Sequence, residues 1–168
     1  MNLPTRIVHV IALATLVACT PGGASPGNDM APLSCQLAAA ATIRAATPAM
    51  VRLTLRNTTD HPLEVLRYFT PFEGLLGEVF VVRYQGEPIP YQGPMVKRGP
   101  PADEDWLPVG QGGSLSAEVD ISGAWDLSRP GVYSLQLRNA LSFREPGRTA
   151  TTLVPAASCG SVHFSVEE

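Results

Sequence analysis

Two clusters of carboxylates in this 168-residue chain have side chains of the type that could do chemistry. Asp103, Glu104 and Asp105 are the oxygen ligands that Ca²⁺ takes, but neighbouring side chains point in different directions and the glycine of a calcium loop is missing. Glu73 and Glu78 could pair as a general acid and base, although flanking glycines leave their separation undetermined. A solvated loop and a structural role are the favoured interpretations.

The histidine and serine patterns do not predict a hydrolase. His9 lies in an N-terminal apolar segment, His61 precedes a proline, and His163 falls on the polar face of a predicted strand. The sequence has no His-Glu-x-x-His motif and no Gly-x-Ser-x-Gly elbow. We therefore expect no enzymatic activity, no metal site and no cofactor.

The charge pattern does not favour a nucleic-acid partner. The net charge is −3, and eleven of the twelve basic residues are arginines spread along the chain. No stretch combines clustered positive charge with stacking aromatics, which is the usual footprint of a nucleic-acid surface.

The N-terminus has the features of an export signal. Arg6 precedes an apolar run, Ile7 to Ala18, which has the length of a signal-peptide core and is too short for a stable membrane span. Leu16-Val17-Ala18-Cys19 resembles a bacterial lipobox, and the resemblance implies a lipid on Cys19 as the first mature residue. Ordinary signal cleavage nearby is the alternative.

These features divide the chain into a signal peptide at residues 1–18, a flexible Gly/Pro/Ser-rich tether at 19–32 and a folded domain at 33–168. Residue Thr20 is not the aspartate that commonly signals inner-membrane retention. By resemblance to that sorting rule, we expect a lipid-anchored protein of the bacterial cell envelope, on the outer membrane and facing the periplasm.

The chain has three cysteines, Cys19, Cys35 and Cys159. If Cys19 carries a lipid, the other two remain as a pair near the start and end of the domain. An oxidising compartment favours a disulfide between them, and two separate buried thiols are the alternative.

Short runs of alternating apolar and polar residues predict an all-β domain. The run from Glu78 to Tyr84 is the clearest strand, and Pro130-Gly131 followed by Tyr133 resembles the tyrosine corner of immunoglobulin-like sandwiches. About eight strands with frequent turns predict a single immunoglobulin-like antiparallel β-sandwich. The predicted strands are Gln36–Arg44, Val51–Arg56, Leu63–Phe69, Glu78–Tyr84, Ile89–Tyr91, Ser114–Asp120, Val132–Asn139 and Ser161–Val166.

Two connections are predicted to be hairpins. The turn-forming residues 57–62 would join Val51–Arg56 and Leu63–Phe69 as an antiparallel pair, and Gly110 to Gly113 would form a second hairpin turn.

The stretch from Tyr68 to Pro100, dense in aromatic residues, prolines and glycines, also carries a family resemblance. Together with Asn57–Leu66 before it and with later blocks as far as Tyr133, it resembles the N-terminal, non-catalytic domain that precedes the zinc protease domain of bacterial deuterolysin-type (aspzincin, peptidyl-Lys) metalloendopeptidases. The match covers roughly half of the mature chain, in consistent order. The matching blocks are Thr70–Leu75, Ile89–Pro94, Val96–Gly99, Val119–Ile121 and Trp125–Tyr133.

This resemblance implies a pro-domain-like sandwich that inhibits, or helps to fold, a secreted zinc metalloprotease, here as a separate lipoprotein. Protease activity is not implied, because the sequence lacks the zinc motif. An accessory or structural envelope lipoprotein with no protease partner is the alternative.

The loops Thr70–Gly77 and Tyr91–Pro101 are the expected partner surface, since proline-rigidified loops lose little entropy on docking. The competing interpretation is that these residues build the domain's own corner and core. The candidate contact residues are Pro71, Phe72, Glu73, Leu75, Tyr91, Lys97 and Arg98.

Overall fold

The computed structural model of the protein describes residues 31–168. In that range the chain forms β-strands and short 3-10 helices, with no α-helix and no helix long and apolar enough to cross a membrane. The predicted signal peptide, the lipid site at Cys19 and nearly all of the predicted tether lie outside the described residues.

The described residues form twelve strands and three 3-10 helices. The strands are β1 Leu33–Ala39, β2 Thr42–Arg44, β3 Met50–Asn57, β4 Leu63–Leu66, β5 Phe80–Tyr84, β6 Glu87–Pro88, β7 Trp106–Val109, β8 Ser114–Asp120, β9 Gly131–Leu137, β10 Leu141–Arg144, β11 Thr152–Val154 and β12 Ser161–Glu167. The 3-10 helices are Pro71–Glu73, Asp103–Asp105 and Ala156–Cys159.

The strands pair into three sheets around one hydrophobic core. The sheet orders are β1-β3-β8, β11-β10-β4-β7 and β2-β12-β9-β5-β6, and every pairing is antiparallel except that of β2 with β12. Alternate residues of each long strand point inward, as in β9, where Tyr133, Leu135 and Leu137 are buried. The prediction of an all-β, immunoglobulin-like sandwich is confirmed.

The predicted hairpin between β3 and β4 is wrong. Strand β3 pairs with β1 and β8, whereas β4 pairs with β7 and β10 in another sheet. The turn at residues 58–62 therefore carries the chain from one sheet to the next. Gly110 to Gly113 does the same between β7 and β8, closing a tight turn through a 2.9 Å bond from Gly113 N–H to the Gly110 carbonyl, so it is not a hairpin turn.

A buried asparagine explains this change of sheet. Asn57 has 0% of its surface exposed, and its side-chain amide donates to the carbonyls of His61 at 2.7 Å and of Val109 and Gly110 at 3.1 Å each. Its side-chain oxygen accepts the Thr59 N–H at 2.9 Å. The Asn57 side chain thus bonds backbone carbonyls in the segment after β3 and in the segment at the end of β7. At both places the chain leaves one sheet for the next, so these bonds replace the strand-to-strand hydrogen bonds that end there.

Several strand boundaries also differ from the prediction. The expected strand 36–44 is two strands: β1 ends at Ala39, and β2 joins the opposite sheet beside β12. The strand 63–69 ends at Leu66, before Phe69, whose φ of 56° is left-handed. At 89–91 no strand forms, and the short β6 lies just before it.

The expected disulfide between Cys35 and Cys159 is confirmed. The bridge joins β1 of the three-stranded sheet to the 3-10 helix before β12 of the five-stranded sheet, over a sequence separation of 124 residues. It therefore ties the two sheets together.

The tyrosine corner is also present. The buried Tyr133 donates its hydroxyl hydrogen to the Arg129 carbonyl at 2.8 Å, four residues earlier in the chain. Its ring stacks on Phe164 at 5.5 Å between centroids and contacts Tyr84 at 5.0 Å. The corner therefore fixes the start of β9 against β12 and β5.

Candidate functional site

The two loops that carry the predicted contact residues lie against each other. We call them the paired loops: residues 67–77, which follow β4, and residues 91–105, which precede β7. Val96 N–H donates to the Leu76 carbonyl at 3.0 Å. The Tyr91 hydroxyl lies 2.9 Å from the carbonyls of Leu75 and Pro94, so this side chain links both loops.

The first loop is shaped by a capped 3-10 turn. Thr70 accepts the Phe72 N–H at 3.2 Å and donates to the Arg67 carbonyl at 2.6 Å, while Pro71 takes the first helical position, where no N–H is needed. Gly74, with φ of 80°, then ends the turn. This Thr-Pro start and Gly end place Glu73 on the inner side of the loop, where it is buried.

A buried ion pair joins the loops. The Glu73 side chain is 2% exposed, and its carboxylate accepts the Arg98 Nη2–H at 2.7 Å and the Phe69 N–H at 2.7 Å. Arg98 is 23% exposed, and its buried Nε–H has no acceptor among the described residues. A carboxylate out of water requires its cation, so this pair fixes the distance between the loops.

Tyr68 and Asp105 extend this contact outward. The Arg98 guanidinium lies 5.0 Å from the centre of the Tyr68 ring. The Tyr68 hydroxyl donates to Asp105 at 2.5 Å, which lowers the pKa of the Asp105 carboxyl and raises the pKa of the Tyr68 phenol. Asp105 also accepts the Ala102 N–H at 2.9 Å, so the end of the second loop is held as well.

Tyr91 anchors the second loop on the core. Its ring packs on Trp125 at 4.9 Å between centroids, and burial raises the pKa of the Tyr91 phenol. The ring also lies so close to Gly93 that a Cβ at that position would collide with the tyrosine hydroxyl. Residue 93 must therefore be glycine for this ring position to be kept.

The seven predicted contact residues separate by exposure. Pro71 and Glu73 are buried, and Arg98 turns inward to Glu73, so these side chains support the loops themselves. The other four, which have exposed or half-buried surface, are Phe72, Leu75, Tyr91 and Lys97. A role of these residues in binding a partner stays a prediction.

Sequence reasoning missed the exposed apolar residues of the paired loops. Phe69 is 42% exposed, Met95 75% and Val96 39%. The Phe69 ring lies beside Gly77, 3.8 Å from where a Cβ at that residue would be. Gly77 follows Leu76, whose carbonyl accepts the Val96 N–H and so brings the second loop to the same place. We call Phe69, Leu76, Met95 and Val96 the apolar patch. Its only sequence signal is a pair of apolar residues beside Lys97 in a polar, proline-rich stretch.

Four of the five carboxylates considered as acid, base or calcium ligands, all except Glu104, bind other side chains instead. Glu78 pairs with Arg138 at 2.8 Å, while Glu73 pairs with Arg98, so each glutamate has its own arginine. Asp103 pairs with Arg144 at 3.0 Å. Among residues 31–168, no three His, Cys, Asp or Glu side chains come together as metal ligands.

Two open cavities are also present, the first bordered by Gln92 of the second paired loop and the second away from both loops. One, of about 640 Å³, lies beside Trp125 and is lined by Arg44 and Asp126 among others. The other, of about 520 Å³, lies beside His61, which is 3.8 Å from Glu145. His163 lies on the polar side of β12, 3.4 Å from the Ser161 hydroxyl.

The chain is similar to an extracellular protease and to neutral proteases. The chain is 35% identical to an extracellular protease of Aeromonas hydrophila over 86 residues, which are 51% of this chain and 25% of that protein. The neutral protease 2 homolog MEP7 of Coccidioides posadasii is 28% identical to the chain over 105 residues, which are 61% of this chain. A neutral protease 2 homolog of Uncinocarpus reesii is 27% identical over 139 residues, which are 80% of this chain.

The chain spans only 25% to 36% of the length of these relatives. No protein-family model matches it. Among solved structures, the CARDB domain of PF1109 from Pyrococcus furiosus aligns with a TM-score of 0.36 and 12% identity, covering 80% of this chain and 92% of that one. The fold assignment rests on the sheets themselves. The sequence similarity shows a segment shared with extracellular and neutral proteases.

Proposed function

We propose that this chain is a non-catalytic, protein-binding domain that associates with a secreted zinc metalloendopeptidase of the deuterolysin type. The observation that carries the proposal is the similarity to three proteases, each matched over 36% of its length or less. A segment of that size that folds into a β-sandwich has the form of a companion domain to a catalytic domain.

The apolar patch supports this proposal, because it offers an apolar docking surface on the same loops that carry the family resemblance. Three of the six exposed large hydrophobic residues in the described range, Phe69, Met95 and Val96, lie there. The other three, Met50, Val132 and Leu153, lie on separate strands. Gathered exposed apolar side chains favour a protein partner, whereas scattered ones do not.

The rigidity of the paired loops also supports docking. The buried pair of Glu73 with Arg98 and the contact of Tyr91 with Trp125 fix both loops before a partner arrives. A preformed surface loses little conformational entropy on binding. In this proposal the domain inhibits the peptidase or assists its folding, and a lipid on Cys19 holds it at the outer membrane, facing the periplasm.

The test is a titration of the full chain, in detergent, against the Aeromonas hydrophila extracellular protease, with peptide hydrolysis and complex formation followed together. We expect a complex on a sizing column and a stoichiometric fall in rate. A folding role predicts instead a higher yield when the denatured protease is refolded with the chain present.

A matched pair of variants locates the surface. Met95→Asp places a charge in the apolar patch and should weaken the complex about tenfold or more. Leu153→Asp places the same charge on β11, where 62% of the leucine is exposed, and should leave affinity unchanged. Equal effects from both variants would contradict the assignment of the surface.

The alternative, an accessory or structural envelope protein, is favoured by the inward use of Pro71, Glu73 and Arg98 within the domain. It predicts no complex, no change in hydrolysis rate and no gain in refolding yield.

A further inference from the structure

The segment from Pro94 to Gly99 is an open stretch of main chain on the surface of the paired loops. It contains neither a turn nor a bend. Its residues 94–97 are all exposed, but unequally: Met95 is 75% exposed and Val96 only 39%, and Arg98 reaches back to Glu73. The smaller exposure of Val96 and the inward turn of Arg98 fit an extended chain lying with one side toward the domain.

One edge of this segment is already paired. Val96 N–H donates to the Leu76 carbonyl at 3.0 Å, so the main-chain groups of residue 96 point toward the first loop. In an extended chain the groups of residues 95 and 97 then point the other way. The N–H and carbonyl groups of Met95 and Lys97 have no hydrogen-bond partner within residues 31–168.

The segment is also held at both ends. The Tyr91 hydroxyl lies 2.9 Å from the Pro94 carbonyl, and Arg98 is anchored on Glu73 at 2.7 Å. The open main-chain groups are therefore presented in a fixed arrangement. Such an edge is a template for a strand from another protein.

The charge of the segment disfavours pairing with a second copy of the chain. Two copies meeting edge to edge would bring Lys97 of each near the same edge of the other, and a lysine on an open edge is a common device against such self-association. A different protein that offers a strand edge is the better fit.

We propose that residues 95–97 pair, as an added strand, with an edge strand of the peptidase. This is the peptidase strand that binds the backbone of the substrate. This inference rests on the proposed function. In this proposal the peptidase binds the backbone of its substrate by strand addition, so its cleft offers the donors and acceptors that complement those of Met95 and Lys97. Occupation of that edge makes the domain a competitor of peptide substrates.

Proline substitution tests the main chain separately from the side chain. Lys97→Pro removes the outward N–H and keeps residue 96 extended, because the residue before a proline favours that conformation. Lys97→Ala removes the charge and keeps the N–H. We expect Lys97→Pro to weaken binding to the Aeromonas hydrophila protease about tenfold or more, and Lys97→Ala to change it less than threefold, with both variants melting at the wild-type temperature.

Competition completes the test. An extended peptide substrate should displace the full chain from the protease, and inhibition should be overcome by raising substrate concentration. If the chain binds but the peptide does not displace it, and if Lys97→Pro binds as well as Lys97→Ala, strand addition is wrong while the proposed function stands. If no complex forms, the proposed function fails and this inference fails with it.

Discussion

The buried pair of Glu73 and Arg98 gives the sharpest test of how the paired loops are held. In an Arg98→Met variant, Glu73 keeps its hydrogen bond from Phe69 N–H but loses its cation, with only 2% of the side chain exposed to water. Breaking a buried pair by removing one partner typically costs about 3 to 5 kcal/mol. We expect the free energy of unfolding of Arg98→Met to fall by about 3 kcal/mol.

The opposite substitution should cost less. Glu73→Gln retains the side-chain volume and an oxygen for the Phe69 N–H, and the remaining guanidinium of Arg98 is 23% exposed, so water can reach it. We expect a loss of about 1 to 2 kcal/mol. The double variant leaves no buried charge, so its cost should be smaller than the sum of the two single costs by roughly 1 kcal/mol or more.

Urea unfolding at pH 7 measures all four proteins, with the fluorescence of Trp106 and Trp125 as the signal. Tyr68→Phe is a useful control, because it changes a neighbour of the pair without leaving a buried charge. Equal losses for Arg98→Met and Glu73→Gln, or costs that add within experimental error, would refute the argument that a desolvated carboxylate dominates the energetics of these loops.

Three further predictions follow from contacts elsewhere in the fold. Replacing Cys35 and Cys159 by serine opens a loop of 124 residues, and the chain-entropy model gives a loss of about 4 to 5 kcal/mol in the free energy of unfolding. We expect a large fall in melting temperature, and a reductant should produce the same fall in the wild type. Asn57→Ala leaves the carbonyls of His61, Val109 and Gly110 without their donor, so the free energy of unfolding in urea should fall by about 2 to 3 kcal/mol. A surface change such as Leu153→Ala should lower it by less than about 0.5 kcal/mol. The Tyr68 hydroxyl lowers the pKa of Asp105 in the folded protein, so this bond stabilises the fold above the unfolded pKa of about 3.9, and that stabilisation is lost as the pH falls through the lower folded pKa. The difference in melting temperature between wild type and Tyr68→Phe should therefore shrink below about pH 4. A constant difference down to about pH 2 would contradict this prediction.

Local pattern in the sequence was enough to predict the fold class. Strands β5, β8, β9 and β12 are close to the predicted ranges, because alternation of apolar and polar residues reports directly that one face of a strand is buried. The bridge between Cys35 and Cys159 could also be expected, since export favours disulfides and few pairings were available. Tyr133 was predictable because its corner depends on residues only four apart.

The partners of each strand were decided only by the tertiary structure. Alternation says that a strand has a buried face, but it carries no information about which strand lies along its edge. Residue 57 was predicted to lie in a hairpin turn because asparagine, threonine and aspartate are turn formers. Its buried side chain instead bonds to carbonyls 52 and 53 residues away and directs the chain into another sheet.

The same reason explains what could not be foreseen in the paired loops. Glu73 and Arg98 are 25 residues apart, and only their contact shows that these charges serve the interior, which leaves Lys97 as the outward cation of the second loop. Exposure of Phe69 and Met95 likewise depends on packing between distant segments. The sequence by itself determined that this protein is a β-sandwich, because secondary structure and burial follow local periodicity. The surface it offers to a partner was decided by long-range contacts, which local periodicity does not encode.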